Sequence, residues 1–257
     1  MRRRQLLKYA SASFVSTLGL GVASTWRSVQ AQSGGTLTIK SLGHTCFLFT
    51  GSGRRVLTNP FRPIGCTEGY REPTVGADLV LLSSRLFDEG YTDGAYQNTQ
   101  TLDEPGVYEV DGITFQGIGM PHDREGGRRF GTNTAWQWTH SGIKVVHLGG
   151  AAAEISLEDK ILIGRPDVLL LPVGGGPKAY TPGDAAATVR NLQPKLVIPT
   201  QYRTQAADDD ACDIVALDQF LSLMSSTPVN RSGDTISLQP SGLPSSGMRI
   251  EVLSYPF

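Results

Sequence analysis

Leu79-Val80-Leu81-Leu82-Ser83-Ser84-Arg85-Leu86-Phe87-Asp88-Glu89-Gly90 is the stretch on which the reading of this chain turns. Its four leading apolar residues suit a strand buried on both faces. The run then gives way to a polar segment that closes on Gly90. Loops leaving such strands carry the chemistry of an α/β domain, so Ser84 to Glu89 is the first place to look for a site.

Upstream of it, Leu37-Thr38-Ile39-Lys40 alternates apolar and polar residues, and Cys46 to Thr50 reads as a second strand. Gly51-Ser52-Gly53-Arg54 turns the chain into Arg55 to Thr58, and Asn59-Pro60-Phe61 breaks the pairing. The Pro- and Gly-rich residues 62–76 suggest an irregular loop before a strand over Ala77 to Leu82. Downstream, Asp111-Gly112 and Ser141-Gly142 each sit between β-prone runs and predict hairpins. Trp136 and Trp138 then share one face of a strand, where core packing is the favoured reading. Ser156 caps an expected helix to residue 163, and Thr181 with Pro182 opens another that runs to about Asn191. Asp167 to Val173 and Leu196 to Pro199 read as buried strands, Asp213 to Met224 as an amphipathic helix, and Ile250 to Leu253 as a closing strand. A strand-rich half followed by strand–helix alternation predicts a layered α/β sandwich.

The N-terminus stands apart. Met1-Arg2-Arg3-Arg4-Gln5-Leu6-Leu7-Lys8, a weakly apolar run to Trp26, and Val29-Gln30-Ala31 follow the order of an export signal of the twin-arginine (Tat) type. A retained basic amphipathic helix is the alternative. Cleavage after Ala31 leaves a mature domain over residues 32–257. The segment holds five of the 23 basic residues and no acid, so the mature chain carries 18 basic against 24 acidic residues. That balance argues against a nucleic-acid partner. A protein or small-molecule partner is expected, with no stable transmembrane span after cleavage. The destination is the periplasm, or the thylakoid lumen in a phototroph.

Cys46, Cys66 and Cys212 are too few and too irregularly spaced for a zinc motif. They are read as buried and unpaired, with one disulfide plus a spare thiol as the other option. No Gly-x-Ser-x-Gly elbow is present, and Gly174-Gly175-Gly176-Pro177-Lys178 lacks phosphate-loop spacing. Asp208-Asp209-Asp210 is taken as a solvated tip.

Leu42-Gly43-His44-Thr45-Cys46, Val56-Leu57-Thr58-Asn59-Pro60, Met120-Pro121-His122-Asp123, Val146-His147-Leu148-Gly149-Gly150 and Val197-Ile198-Pro199-Thr200-Gln201-Tyr202 occur in an order that resembles the metallo-β-lactamase superfamily. The similar branch contains L-ascorbate-6-phosphate lactonase and Zn-dependent hydrolases. The resemblance spans nearly all of residues 36–205. It implies a four-layer αββα sandwich, with one or two metals at the strand ends activating a water.

At the family's metal positions the match fails. An early Asp falls at Asn59, three motif histidines fall at Ser84, Leu86 and Glu89, a bridging Asp falls at Gly150 and a last His at Gln201. Only Asp88 and His122 are retained, so Asp88, Glu89, His122 and Gln201 are the remnant candidates. The plainer expectations are that Asp88 caps a helix or pairs with Arg85, that Glu89 is solvated, and that His122 bonds to nearby backbone. His44 begins a strand near the site edge, and His140 and His147 are read as structural. No catalytic residue is assigned from the sequence, and no cofactor is expected, with zinc the weaker alternative. The chain is then an exported, non-catalytic binding or assembly factor. The competing reading is a metal-dependent hydrolase, lactonase- or phosphodiesterase-like, with a remodelled site.

Overall fold

The computed structural model describes residues 35–256. The proposed export signal and its cleavage point lie outside the described residues. The chain opens with the hairpin strands β1 (Leu37–Gly43), β2 (Cys46–Gly51) and β3 (Arg54–Thr58), followed by short β4 (Leu79–Leu81) and β5 (Thr101–Leu102). A meander of β6 (Gly106–Val110), β7 (Ile113–Pro121), β8 (Thr132–His140) and β9 (Ile143–His147) comes next. Helix α1 (Leu157–Ile163), β10 (Val168–Pro172), α2 (Pro182–Leu192), β11 (Leu196–Thr200) and α3 (Asp218–Leu223) alternate. β12 (Val229–Ser232), β13 (Thr235–Leu238) and β14 (Arg249–Leu253) end the chain.

Two sheets result, a six-stranded one in the order β13-β1-β2-β3-β4-β5 and an eight-stranded one in the order β12-β14-β11-β10-β9-β8-β7-β6. Alternation along the strands divides the core. In β10, Val168 and Leu170 join the layer between the sheets, while Leu169 and Leu171 face the helices. Trp136 and Trp138 both enter the inter-sheet layer, as their shared parity requires, with Phe49 edge-on to Trp138 at 4.9 Å. Helices α1, α2 and α3 cover the outer face of the larger sheet through Ile163, Val189 and Phe220. On the smaller sheet, Leu57, Val80 and Leu82 pack under Phe61, Tyr70, Tyr96 and Ala206, which belong to irregular segments. The implied α/β sandwich is therefore present, with loops rather than α-helices over one outer face.

Local sequence explains the helix ends. Ser156 accepts from Asp159 N and the Asp159 carboxylate reaches back, a capping box that starts α1. Thr181 and Asp184 repeat the device at α2, with Pro182 in the first turn. The helix expected over Asp213 to Met224 is only six residues long, Asp218–Leu223. Arg203 N donates to Val215 O and Val215 N to Gly174 O, so tertiary pairing draws residues 213–216 out of helical geometry. Among the described residues no helix is long and apolar enough to cross a membrane.

The cysteine reading needs a correction. Cys66 and Cys212, 146 residues apart, form a disulfide, and only Cys46 is free and buried. The bond ties the turn at Gly65–Thr67 to the loop after β11. Two backbone bonds join the same segments, Asp208 N to Gly65 O at 2.9 Å and Gly69 N to Ala206 O at 2.7 Å.

Candidate functional site

Strands β3 and β4 run parallel, as do β9, β10 and β11, so the loops following them gather at one end of the sandwich. Asn59, the segment Ser83–Glu89, Gly150 and Gln201 all leave these strands at that end, and His122 joins from the end of β7. The topology thus assembles the positions singled out from sequence.

Each position has a definite role in the structure. Asn59 sits at φ 43°, a left-handed conformation that Asn tolerates better than most residues. It clamps Ser83, accepting from Ser83 N at 2.8 Å and donating Nδ2 to Ser83 Oγ at 2.5 Å. Ser84 Oγ donates to Glu89 Oε1 at 2.8 Å. Arg85 turns outward to Asp103, so it neither pairs with Asp88 nor blocks the centre. Asp88 caps no helix; it pairs with Lys178, which comes from the Gly-rich loop after β10. Leu86 is half-buried, and its carbonyl accepts from Glu89 N at 3.0 Å.

The expectation that Glu89 is solvated is wrong, as is that of a backbone-bonded His122. Both side chains are 0% exposed, and Glu89 Oε1 lies 2.8 Å from His122 Nε2. At that distance the two groups are in direct contact, although the ring nitrogen does not meet the angular criteria of a well-formed hydrogen bond. Burial by itself raises the Glu89 carboxyl, but His122, Lys178 and the Ser84 hydroxyl outweigh it and bring the pKa down to about 2.

Gly150 explains how the pair fits. A Cβ at this position would lie 2.5 Å from Glu89 Oε2 and 2.6 Å from His122 Nε2. The pair therefore occupies the space that a side chain at 150 would need. Gly150 N is held by Asn133 Oδ1 at 3.1 Å.

His44 and Gln201 border the centre on the other side. Both have positive φ, 54° and 48°, and Gln201 N donates to His44 O at 3.3 Å. Both ring nitrogens of His44, Gln201 Oε1 and Glu89 Oε2 lack a protein hydrogen-bond partner. A cavity of about 10 Å³ lined by His44, Phe47, Tyr70 and Gln201 has room for one water. Burial pushes His44 down to about 4, against the pull of Asp88. His147 is also lowered to about 4 by burial, and its Nε2 contacts Thr45 O at 3.0 Å. His140 meets Gly51 O at 2.8 Å. These last two are structural, as expected.

The residues do not fit the family's metals. Catalytic zinc needs about three protein ligands. Among the described residues no three His, Cys, Asp or Glu side chains group closely enough to share an ion. Asp88 is engaged by Lys178, Glu89 and His122 meet each other directly, and Gly150 offers no carboxylate.

Comparison with known proteins agrees with this architecture. The chain matches the model of the beta-lactamase superfamily domain over residues 38–201 and belongs to that family. It is 30% identical over 184 residues to a UPF0173 metal-dependent hydrolase of Methanoculleus marisnigri, covering 63% of this chain and 80% of the relative. A second such hydrolase, from Methanoregula boonei, is 29% identical over 191 residues, covering 63% and 81%. A solved structure from Thermotoga maritima, assigned as a Zn-dependent hydrolase of the metallo-beta-lactamase superfamily, matches with a TM-score of 0.66. It is 27% identical, over 84% of this chain and 98% of that one.

The fold brings the positions named from sequence to one end of the sandwich, together with two residues that sequence reasoning does not single out as partners, Lys178 and Ser84. In the sequence Lys178 stands in a loop without phosphate-loop spacing, and Ser84 stands at a lost ligand position. The acidic Asp88-Glu89 step was a usable signal, since adjacent carboxylates beside a strand end call for basic partners.

Proposed function

We propose that this chain is a binding or assembly factor built on a hydrolase scaffold, exported from the cytoplasm, whose centre performs no metal chemistry. The observation that carries this reading is the direct Glu89–His122 contact seated on Gly150. Export is supported by the Arg-Arg-x-Leu-Leu-Lys segment and by the Cys66–Cys212 disulfide, which belongs in an oxidising compartment. The destination is the periplasm, or the thylakoid lumen in a phototroph. Metal analysis by inductively coupled plasma mass spectrometry tests the reading on protein produced in zinc- and manganese-supplemented cells. Content far below one equivalent is expected. One or more tightly held zinc ions per chain would overturn it.

A second reading has its own support. The relatives are named metal-dependent hydrolases, and these names speak for hydrolysis more than for a non-catalytic factor. The unpartnered Glu89 Oε2 and Gln201 Oε1 also leave the centre polar. In this reading the chain is a lactonase- or phosphodiesterase-like hydrolase working through Asp88, Glu89, His122 and Gln201, with a metal as cofactor. It requires turnover on an ester, lactone or phosphodiester panel with added Zn²⁺ or Mn²⁺, lost in His122→Ala. Inactivity across the panel removes it.

A further inference from the structure

We infer that the Glu89–His122 pair has replaced the family's metal as the cross-link between the two sheets, with Gly150 as the residue that makes room for it. In a metal centre of this fold, loops from different strands converge on one ion, and the ion fastens them together. In this chain two fully buried polar groups at that position fasten the same loops directly. Glu89 belongs to the loop after β4 of the six-stranded sheet, and His122 to the end of β7 in the eight-stranded sheet.

Three features indicate a built arrangement rather than a vacated metal site. Ser84, at a lost histidine position, donates to Glu89 Oε1 and holds that carboxylate in place. Lys178 and Asp88 form a second pair across neighbouring loops, putting an ammonium where a dication would be repelled. Gly150 lies so close that even a methyl group would collide with both partners. A side chain at 150 would have to displace both partners, so the bare Gly150 and the Glu89–His122 contact go together. A buried pair of this kind is strongly destabilised when one member is removed, whereas replacing both with apolar groups is often tolerated.

The test is a double-mutant cycle on the purified protein, read by thermal unfolding with and without excess ZnCl₂ or MnCl₂. Glu89→Gln and His122→Gln should each lower Tm by roughly 6–20 °C. The double variant should fall by clearly less than the sum, and Glu89→Met with His122→Leu should recover part of the loss. Neither metal should raise the wild-type Tm. If the single variants do not fold, the Met/Leu variant and the wild-type metal titration still decide. Additive losses would overturn the inference. So would a metal-induced rise in wild-type Tm that disappears in His122→Gln. Turnover independent of metal would end the binding reading above yet leave this inference intact, so the two fail separately.

Discussion

Glu89 and His122 face each other at 2.8 Å from loops of opposite sheets, and both are closed off from solvent. An isolated buried carboxylate is costly, and here the cost is offset by one ring nitrogen, one hydroxyl from Ser84 and the nearby Lys178. Ser84 and His122 stand at positions where the family places a metal ligand, and Lys178 reaches in from the loop after β10.

Gly150 is the glycine whose bare backbone makes room for both Glu89 and His122. Gly150→Ala puts a Cβ within 2.6 Å of His122 Nε2 and closer still to Glu89. Overpacking of this kind costs about 1–3 kcal/mol, a Tm decrease of roughly 2–12 °C for a domain of this size. Gly183→Ala in the first turn of α2 meets nothing nearer than 3.7 Å and serves as the control, with unchanged or slightly higher Tm. Differential scanning calorimetry on both variants checks the contrast.

Asn59→Asp restores the family's acid at that position and should nevertheless destabilise the protein. The substitution removes the Nδ2 donor to Ser83 Oγ and places a carboxylate in a fully buried setting. Loss of a buried donor costs about 1–3 kcal/mol, and more with a charge. Urea unfolding should show a lower midpoint with an unchanged m-value. An equal or higher midpoint would contradict the bracing role.

Acid stability follows from His44 and His147. Both are lowered by burial to about 4, whereas the unfolded chain titrates near 6.5. Between those values the unfolded state binds more protons, so stability declines as pH falls from about 6.5 to 4. Glu89 acts lower down: its depressed pKa means that its contribution is present above about 4.5 and lost as pH falls toward 2. Equilibrium unfolding from pH 7 to pH 4 should show this decline. His147→Gln should flatten part of the curve while lowering stability at pH 7.

Reduction should loosen the loops beside the site. Closing a 146-residue loop stabilises by about 4–5 kcal/mol in the chain-entropy model, so Cys66→Ser with Cys212→Ser should lower Tm by roughly 8–20 °C. Thiol titration should find no reactive thiol in the native protein, one after denaturation and three after denaturation with reduction. The single thiol is Cys46, whose burial also raises its pKa.

The fold was readable wherever the signal was local. Asp111-Gly112 and Ser141-Gly142 turned where expected, both helix caps formed at Ser156 and Thr181, and the tryptophan pair faced the core. Local pattern failed where distant partners decided the outcome. β12 and β13 carry mostly polar, exposed residues and exist because β14 and β1 pair with them. The shortened α3 reflects bonds to Arg203 and Gly174. At the site, position was legible and state was not. Glu89 looked solvated because His122 lies 33 residues onward, and Asp88 gave no sign of Lys178, 90 residues away. The disulfide was hidden in the same way by a separation of 146.

The most direct test of the central claim is a crystal structure of the protein grown with excess zinc, with anomalous data collected at the zinc edge. The account predicts Glu89 and His122 in direct contact over Gly150, with no anomalous peak between them. A zinc peak coordinated by His122 Nε2 and a Glu89 oxygen, with the two side chains drawn apart, would contradict it.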